Sequence, residues 1–272
     1  MSDALGTPIT ELEFSRFQRF IAERAGIALS EGKKAMLCGR LGKRLRANRM
    51  TSYSQYLRLL EDDGDTPEIQ IAIDLLTTNE TYFFREPKHF DLLARLARES
   101  RAVAPFRCWS AASSSGEEAF SMAMVLEDVL GGKPYEVVGS DISSRVLDQA
   151  RSGLYAMQRL DHMPPGYLKR FCRKGNGRYE GYMLVDRSLR EHVRFLQLNL
   201  NAPLPGTALG MFDIVFLRNV MIYFDGPTKF ALIKRLLSQL KPGGHLCVGH
   251  SESLNEFDLD LVQIAPAVYR KP

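Results

Sequence analysis

The chain has 272 residues, 45% of them hydrophobic and 25% charged, with a formal net charge of +4. That length suits two modest domains, the composition is that of an ordinary globular protein, and so small a surplus of positive charge does not mark a nucleic-acid binder. No run approaches the roughly 18 apolar residues of a membrane helix, and the start Met1-Ser2-Asp3-Ala4 lacks the features of a secretory signal, so the expected location is the cytoplasm.

Up to residue 76 the pattern is helical. Leu12, Phe14, Phe17, Phe20 and Ile21 recur at helical spacing. Leu37, Leu41 and Leu45 form an i, i+4 stripe on a second helix, which Gly39 and Gly42 each weaken by about 1 kcal/mol relative to alanine. A third helix is expected from Ser52 to Leu60. After a break from Gly64 to Pro67, a fourth runs from Ile69 to Leu76. Residues 1–76 therefore read as a small all-α domain. Its charge is polarised: Lys33, Lys34, Arg40, Lys43, Arg44, Arg46 and Arg49 follow one another without an acid, and Glu61, Asp62, Asp63, Asp65 and Glu68 come after. A basic face of this kind suits an acidic partner.

Residues 77–90 read as a linker, containing Thr77-Thr78-Asn79-Glu80-Thr81-Tyr82-Phe83-Phe84-Arg85-Glu86-Pro87. Such a segment serves either as a hinge packed by aromatics or as a lid whose Arg85 binds a carboxylate through two parallel hydrogen bonds.

The texture then changes to strands alternating with helices. Strands are expected at Phe106–Ala111, Tyr135–Ser140 ending on Asp141, Val193–Leu198, Phe212–Leu217 and His245–Gly249. The Phe212 strand is the most apolar and is placed at the centre. Helices are expected at Glu117–Leu130, Ser143–Arg151 and Pro227–Leu240, the last stopped by Pro242-Gly243-Gly244. This alternation means a doubly wound, mostly parallel sheet over residues 91–272, with ligands at the carboxyl ends of its strands. The stretch of about 160–191 breaks the alternation: Gly175, Gly177 and Gly181 precede Tyr182-Met183-Leu184-Val185, the pattern of a small inserted β-hairpin.

Cys38, Cys108, Cys172 and Cys247 are far apart and read as reduced, mostly buried thiols. The five histidines form no H-x-x-x-H or His/Cys cluster, so no metal site is expected.

The loop after the first strand, Ser110-Ala111-Ala112-Ser113-Ser114-Ser115-Gly116-Glu117-Glu118, is rich in small residues and opens a helix, which lets a ligand approach backbone N–H groups. Only Gly116 is a glycine, which argues against a pyrophosphate on the turn and hence against a nicotinamide oxidoreductase; a sulfonium nucleoside carries no phosphate and tolerates the loop. Asp141 is placed to accept from ribose hydroxyls, or else to cap the helix after it. Leu217-Arg218-Asn219-Val220-Met221-Ile222-Tyr223-Phe224 lacks the D/N-P-P-Y tetrapeptide of many amino-methylating enzymes. That disfavours base N-methylation and leaves Tyr223 as a wall or hydrogen-bond donor beside a methyl group.

Together T-N-E-T-Y-F-F-R-E-P, W-S-A-A-S-S-S-G-E-E, G-S-D-I-S, F-L-R-N-V-M-I-Y-F, L-K-P-G-G and G-H-S-E resemble the CheR-type chemotaxis receptor methyltransferases, in order and over nearly the whole chain. The resemblance implies a class I fold dependent on S-adenosylmethionine (SAM), with a small β-subdomain and an all-α N-terminal domain. It implies transfer of the methyl group to receptor glutamates. Cofactor contacts carried over by motif fall on Asn79, Thr81, Arg85, Glu117, Asp141, Asn199, Leu200, Arg218 and Asn219, with Arg85 and Tyr223 at the reacting centre. It also implies that Lys33, Arg40, Lys43, Arg44 and Arg46 face the helical bundle of the receptor, and that Gly175, Gly177 and Gly181 shape a grip for a C-terminal receptor pentapeptide. A glutamate nucleophile, with a reference pKa of about 4.3, is ionised at neutral pH and needs no general base. Rival readings are a SAM-binding scaffold without turnover and a nucleic-acid methyltransferase using the basic helix.

Overall fold

The computed structural model describes residues 8–62, 67–101 and 103–272; the start at Met1–Ala4, the acids Asp63 and Asp65 and the break at Gly64 lie outside them. The chain forms two units, Met1–Thr78 with Tyr223–Thr228, and Asn79–Ile222 with Lys229–Pro272.

The first unit holds α1 (Glu11–Ala25), α2 (Lys34–Ala47), α3 (Tyr53–Asp62) and α4 (Pro67–Leu76), with no strand among its described residues. Thr10 and Glu13 open α1 with a reciprocal capping box. The other Glu13 oxygen accepts from Ser54 N at 2.8 Å and Ser54 Oγ at 2.7 Å at the start of α3, so one carboxylate serves two helix N-termini. Phe14, Phe17, Phe20 and Ile21 are buried, whereas Leu12 is 74% exposed and lies off their stripe. Leu37, Leu41 and Leu45 of α2 are fully buried. The Tyr223–Thr228 segment joins this unit, where Tyr223 O accepts from Ala28 N at 2.7 Å.

The second unit begins with α5 (Pro87–Glu99), β1 (Phe106–Ser110), α6 (Glu117–Leu130), β2 (Tyr135–Asp141) and α7 (Ser144–Ser152). It continues with β3 (Leu154–Ala156), α8 (Tyr167–Phe171), β4 (Cys172–Lys174), β5 (Tyr182–Val185), α9 (Arg187–Arg190), β6 (Val193–Gln197) and β7 (Phe212–Leu217). It ends with α10 (Gly226–Leu237, its first turn in the other unit), β8 (Leu240–Val248), β9 (Val262–Ala265) and β10 (Val268–Arg270). The seven-stranded sheet runs β6-β2-β1-β7-β8-β10-β9, so β7 is indeed central. The first five of these strands are parallel, and β10 is antiparallel to both β8 and β9. A separate antiparallel sheet, β3-β5-β4, starts at Leu154, ahead of residue 160. Among the described residues no helix is long and apolar enough to cross a membrane.

Two expectations near the C-terminus need correction. The α10 helix ends at Leu237, and Pro242-Gly243-Gly244 lies inside β8. The register of β7 and β8 shifts between Phe212 and Ile214, and a bulge tolerates proline's missing N–H. Gly243 takes φ 74° there. Its N–H donates to Lys271 O at 2.9 Å, while Lys271 N donates to Gly244 O at 2.9 Å. Second, the chain adds β9 and β10 beyond the expected strands: β10 is only three residues long, and β9 is exposed along its length, Val262 and Ile264 included, so no burial pattern marks it.

From β1 the chain first goes to β2 on one side and later returns to β7 on the other. The carboxyl ends of β1, β2 and β7 therefore border a topological switch point, where open α/β sheets bind ligands.

Candidate active site

The loop leaving β1 is held in place by its neighbours. Ser114 takes φ 48° and Gly116 φ 95°. A Cβ on Gly116 would lie 2.8 Å from Ala150 Cβ and 2.9 Å from Tyr155 Oη, so glycine is required there for space as well as for backbone geometry. At the end of β2, Asp141 accepts from Ser114 N and from Ser143 N, both at 2.9 Å. It thus ties the loop to the start of α7. Ser113 Oγ and Ser143 Oγ beside it are buried without a partner.

Glu117 is fully buried in the first turn of α6, where the helix N-terminus favours an anion. It accepts from Ser115 Oγ at 2.7 Å and from Arg159 Nη1 at 2.6 Å. Burial nevertheless pushes its carboxyl above the ordinary range. Asn199 and Leu200 follow β6: Asn199 Oδ1 accepts from Asn201 N at 2.9 Å, and Leu200 O from Arg235 at 2.7 Å.

Beyond β7 lies a buried arginine cage. The Arg218 side chain is 1% exposed. It donates to Glu118 Oε2 at 2.8 Å, to Glu86 Oε2 at 3.3 Å, and to the carbonyl of Arg85. Burial pushes Glu118 up despite Arg218, whereas Glu86, also raised by burial, is brought below its ordinary value by Arg218 and His250. Asn219 takes φ 57° and donates its N–H to Glu252 Oε2 at 2.8 Å.

The same cage pins the segment ahead of α5. Phe84 and Glu86 take φ 56° and 57°, conformations uncommon for non-glycine residues. Phe84 N donates to Ser121 Oγ at 3.0 Å, and the Arg85 carbonyl is held by Arg218. Between these anchors the Arg85 guanidinium makes one long hydrogen bond, to Glu80 O at 3.3 Å, and lies 5.7 Å over the Tyr82 ring. No carboxylate among the described residues pairs with it. Asn79 O accepts from Ser114 Oγ at 2.9 Å, and Thr81 is half-buried in the same segment.

Glu86, His89 and His250 converge, with ligand atoms within 4.8 Å of one another. Arg218 Nη2, however, stands 3.2 Å from the same Glu86 oxygen, so a cation among them would meet a guanidinium. His89 is 1% exposed, and Nδ1 lies 3.5 Å from Glu86 without forming a hydrogen bond. Burial first, then Arg218, lowers its pKa to about 4 against the pull of Glu86, so the ring is neutral. In the unfolded chain the imidazole regains its ordinary value near 6.5 and takes up a proton as pH falls, while the folded ring does not. Stability is therefore expected to drop by about 3 kcal/mol between pH 6.5 and 4 from this residue alone. Thermal unfolding across that window should show a shallower decline in His89→Phe than in the wild type.

The other expected residues belong to the first unit or to the loop of the small sheet. In the first unit Arg44 is bound to Glu68, with Nε to Oε1 at 2.8 Å, and Arg40 donates to Leu75 O at 3.0 Å and Thr77 O at 2.8 Å. Lys33, Lys43 and Arg46 are exposed and have no acidic partner among the described residues. Tyr223 belongs to that unit. In the small sheet a Cβ on Gly175 would fall 2.1 Å from Tyr179 O, while Gly177 and Gly181 take φ of 55° and 82° with open space above them.

Two family models match the chain: "CheR methyltransferase, all-alpha domain" over residues 12–77 and "CheR methyltransferase, SAM binding domain" over residues 79–268. The chain belongs to the CheR methyltransferase family. It is 42% identical to the chemotaxis protein methyltransferase of Escherichia coli (strain K12), over 96% of this chain and 91% of that one. It is 42% identical to chemotaxis protein methyltransferase 2 of Pseudomonas aeruginosa, over 90% and 87%, and 35% identical to the Borreliella burgdorferi protein, over 98% and 96%. The chain is thus a SAM-dependent methyltransferase.

The residues present fit that cofactor. Ser113 Oγ and Ser143 Oγ are buried hydroxyls without partners among the described residues, and they flank the Asp141 carboxylate at the end of β2. Around the switch point stand the carboxylates of Glu86, Glu117, Glu118, Asp141 and Glu252 against the guanidiniums of Arg159 and Arg218.

Sequence reasoning passed over Glu86, Glu118, Arg159 and Glu252. Glu86, Glu118 and Glu252 stood inside the quoted motifs without a role. Arg159 precedes the motif region of the insertion and carries no local signal.

Proposed function

We propose that the chain transfers the methyl group of SAM to glutamate side chains of chemoreceptors, giving a glutamate methyl ester and S-adenosylhomocysteine. The cofactor supplies an electrophilic methyl group on a sulfonium. The observation that carries the substrate class is Arg85, an arginine with no acidic partner among the described residues, held on a pinned turn against the end of β7. A guanidinium so presented binds a carboxylate through two parallel donors. The names of the relatives point the same way.

In this reading Asp141 holds the ribose, and Asn79, Thr81, Glu117, Asn199, Leu200 and Asn219 line the remainder of the cofactor. Arg218 contributes its main chain, since its side chain is engaged by Glu86, Glu118 and the Arg85 carbonyl. Tyr223, assigned by its place in R-N-V-M-I-Y-F, walls the transferring methyl group. No proton need be removed from an ionised glutamate, so rate comes from alignment and exclusion of water.

The finer partner assignments rest on surface chemistry. Lys33, Lys43 and Arg46 are the exposed cations for docking an acidic helical bundle on the cytoplasmic side, while Arg40 and Arg44 shape the helix that presents them. In the small sheet, β4 is an edge strand, and Tyr179 and Tyr182 beside it are 42% and 43% exposed. An extended receptor tail can add to such an edge by main-chain hydrogen bonds, with aromatic contacts for specificity. A tether of this kind raises the local substrate concentration to about the millimolar range.

The test is methyl transfer from labelled SAM to a purified chemoreceptor cytoplasmic fragment, with RNA and DNA in parallel. Label that enters the receptor and leaves as methanol in mild alkali is the expected result. Tight S-adenosylhomocysteine binding without transfer would instead mark a non-catalytic scaffold, and label in nucleic acid would overturn the substrate class. Calorimetry with an aromatic-rich C-terminal pentapeptide tests the tether separately.

A further inference from the structure

We infer that Glu252 is a positioning residue for the methyl transfer, fixing the turn that leaves β7 so that Asn219 meets the cofactor. The inference rests on the reading above, in which Asn219 lines that cofactor.

Glu252 is buried, and no cation among the described residues pairs with it. Its partners are instead four main-chain N–H groups. Oε2 accepts from Asn219 N at 2.8 Å and Gly249 N at 2.7 Å, and Oε1 from Met221 N at 2.8 Å and Ile222 N at 3.3 Å. Three of these donors belong to the turn after β7 and one to the turn after β8. Glu252 N closes the second turn by donating to Gly249 O at 2.8 Å. One carboxylate therefore joins the ends of two neighbouring central strands.

The chemistry calls for a carboxylate. Four converging N–H dipoles form an anion-binding concavity, and hydrogen bonds to an ionised acceptor are stronger than neutral ones. A glutamine of the same shape would replace one oxygen with an NH2 group that faces two of the four donors. Those buried N–H groups would then lack an acceptor.

The turn also needs to be held. Asn219 sits at φ 57°, which asparagine visits but does not favour. Gly249 leaves the room for this contact: a Cβ there would lie 2.5 Å from Asn219 Nδ2, 2.9 Å from Asn219 N and 2.8 Å from Glu252 Oε2. Gly249→Ala should thus crowd both Asn219 and Glu252 Oε2 and push the two turns apart while the side-chain chemistry of Glu252 is unchanged, giving a second route to the same defect.

The experiment compares wild type, Glu252→Gln and Gly249→Ala in three measurements at a temperature where each is folded. These are S-adenosylhomocysteine affinity by calorimetry, steady-state kinetics on a receptor fragment, and hydrogen exchange at the Asn219, Met221 and Ile222 amides. A positioning role predicts that both variants weaken S-adenosylhomocysteine binding at least about tenfold. Turnover should fall by up to about 100-fold, the scale of a 1 Å misplacement. The receptor KM should stay unchanged, and the three amides should lose protection. If the folded variants bind S-adenosylhomocysteine within twofold of wild type and keep its turnover, with only the melting temperature lowered, Glu252 is structural and the inference is overturned. Should Glu252→Gln fail to fold, Gly249→Ala decides alone. A wild type that binds no S-adenosylhomocysteine would fell the cofactor reading on which the inference rests, a result distinct from loss of binding in the variants only.

Discussion

Replacing Arg218 with methionine is expected to lower the stability of the second unit by about 3–5 kcal/mol, the range for breaking a buried ion pair by removing one partner. The guanidinium is almost wholly buried and faces the Glu86 and Glu118 carboxylates as well as the carbonyl of Arg85. Methionine would fill much of the volume but leave two largely buried acidic groups without their cation. Trp109 is the sole tryptophan of the chain and is fully buried in β1, so its fluorescence in urea reports on this unit. The variant combining Arg218→Met with Glu86→Gln and Glu118→Gln should recover much of the loss, because removing the charges together avoids a stranded one. A loss below about 1 kcal/mol in Arg218→Met, well under that range, would mean that solvent reaches the cage. Activity in the rescued variant should remain low, since the carbonyl of Arg85 would still have lost its anchor.

The parts of the architecture visible in the sequence are those written in local periodicity. The apolar stripe of Leu37, Leu41 and Leu45 and the run Phe212–Leu217 each declare both their element and its burial. Asp141 and the serine-rich loop are likewise legible, because a strand, a small-residue turn and an acid at the next strand end form a pattern along the chain. What escaped was set by pairing between distant segments. Pro242-Gly243-Gly244 has the composition of a helix stop, yet its pairing with Lys271 makes it a bulge within β8. The edge strand β9 is exposed on both faces and so carries no alternation. Glu86 ahead of α5, Glu118 in the first turn of α6 and Arg218 after β7 are far apart along the chain, and nothing in their spacing announces that one guanidinium serves both acids. For the same reason Arg218 drew attention as a ligand contact, although its side chain faces inward. The five basic residues in and just ahead of α2 look alike in sequence, and only the fold separates Arg40 and Arg44, bound internally, from exposed Lys33, Lys43 and Arg46.

Arg85→Ala is expected to reduce kcat/KM for methyl transfer by about 100- to 1,000-fold, the loss typical of removing one preorganised donor from a reacting centre. The residue is suited to such an effect because its backbone is fixed while its head group is uncommitted. Phe84 and Glu86 on either side occupy left-handed conformations, Arg218 grips its carbonyl, and among the described residues its guanidinium has only the long hydrogen bond to Glu80 O and the Tyr82 ring beneath it. Such preorganisation limits the entropy lost when a carboxylate arrives. Arg85→Lys should restore only a small part of the rate, since an ammonium cannot reproduce the planar two-pronged geometry. Measuring S-adenosylhomocysteine affinity in the same variants separates the two carboxylates that Arg85 could serve. If it holds the carboxylate of the cofactor, affinity and turnover fall together. If it steers the substrate glutamate, S-adenosylhomocysteine binds as in the wild type while kcat/KM for the receptor collapses. An alanine variant with wild-type values of both would remove Arg85 from the chemistry and leave the pinned turn as a purely structural joint.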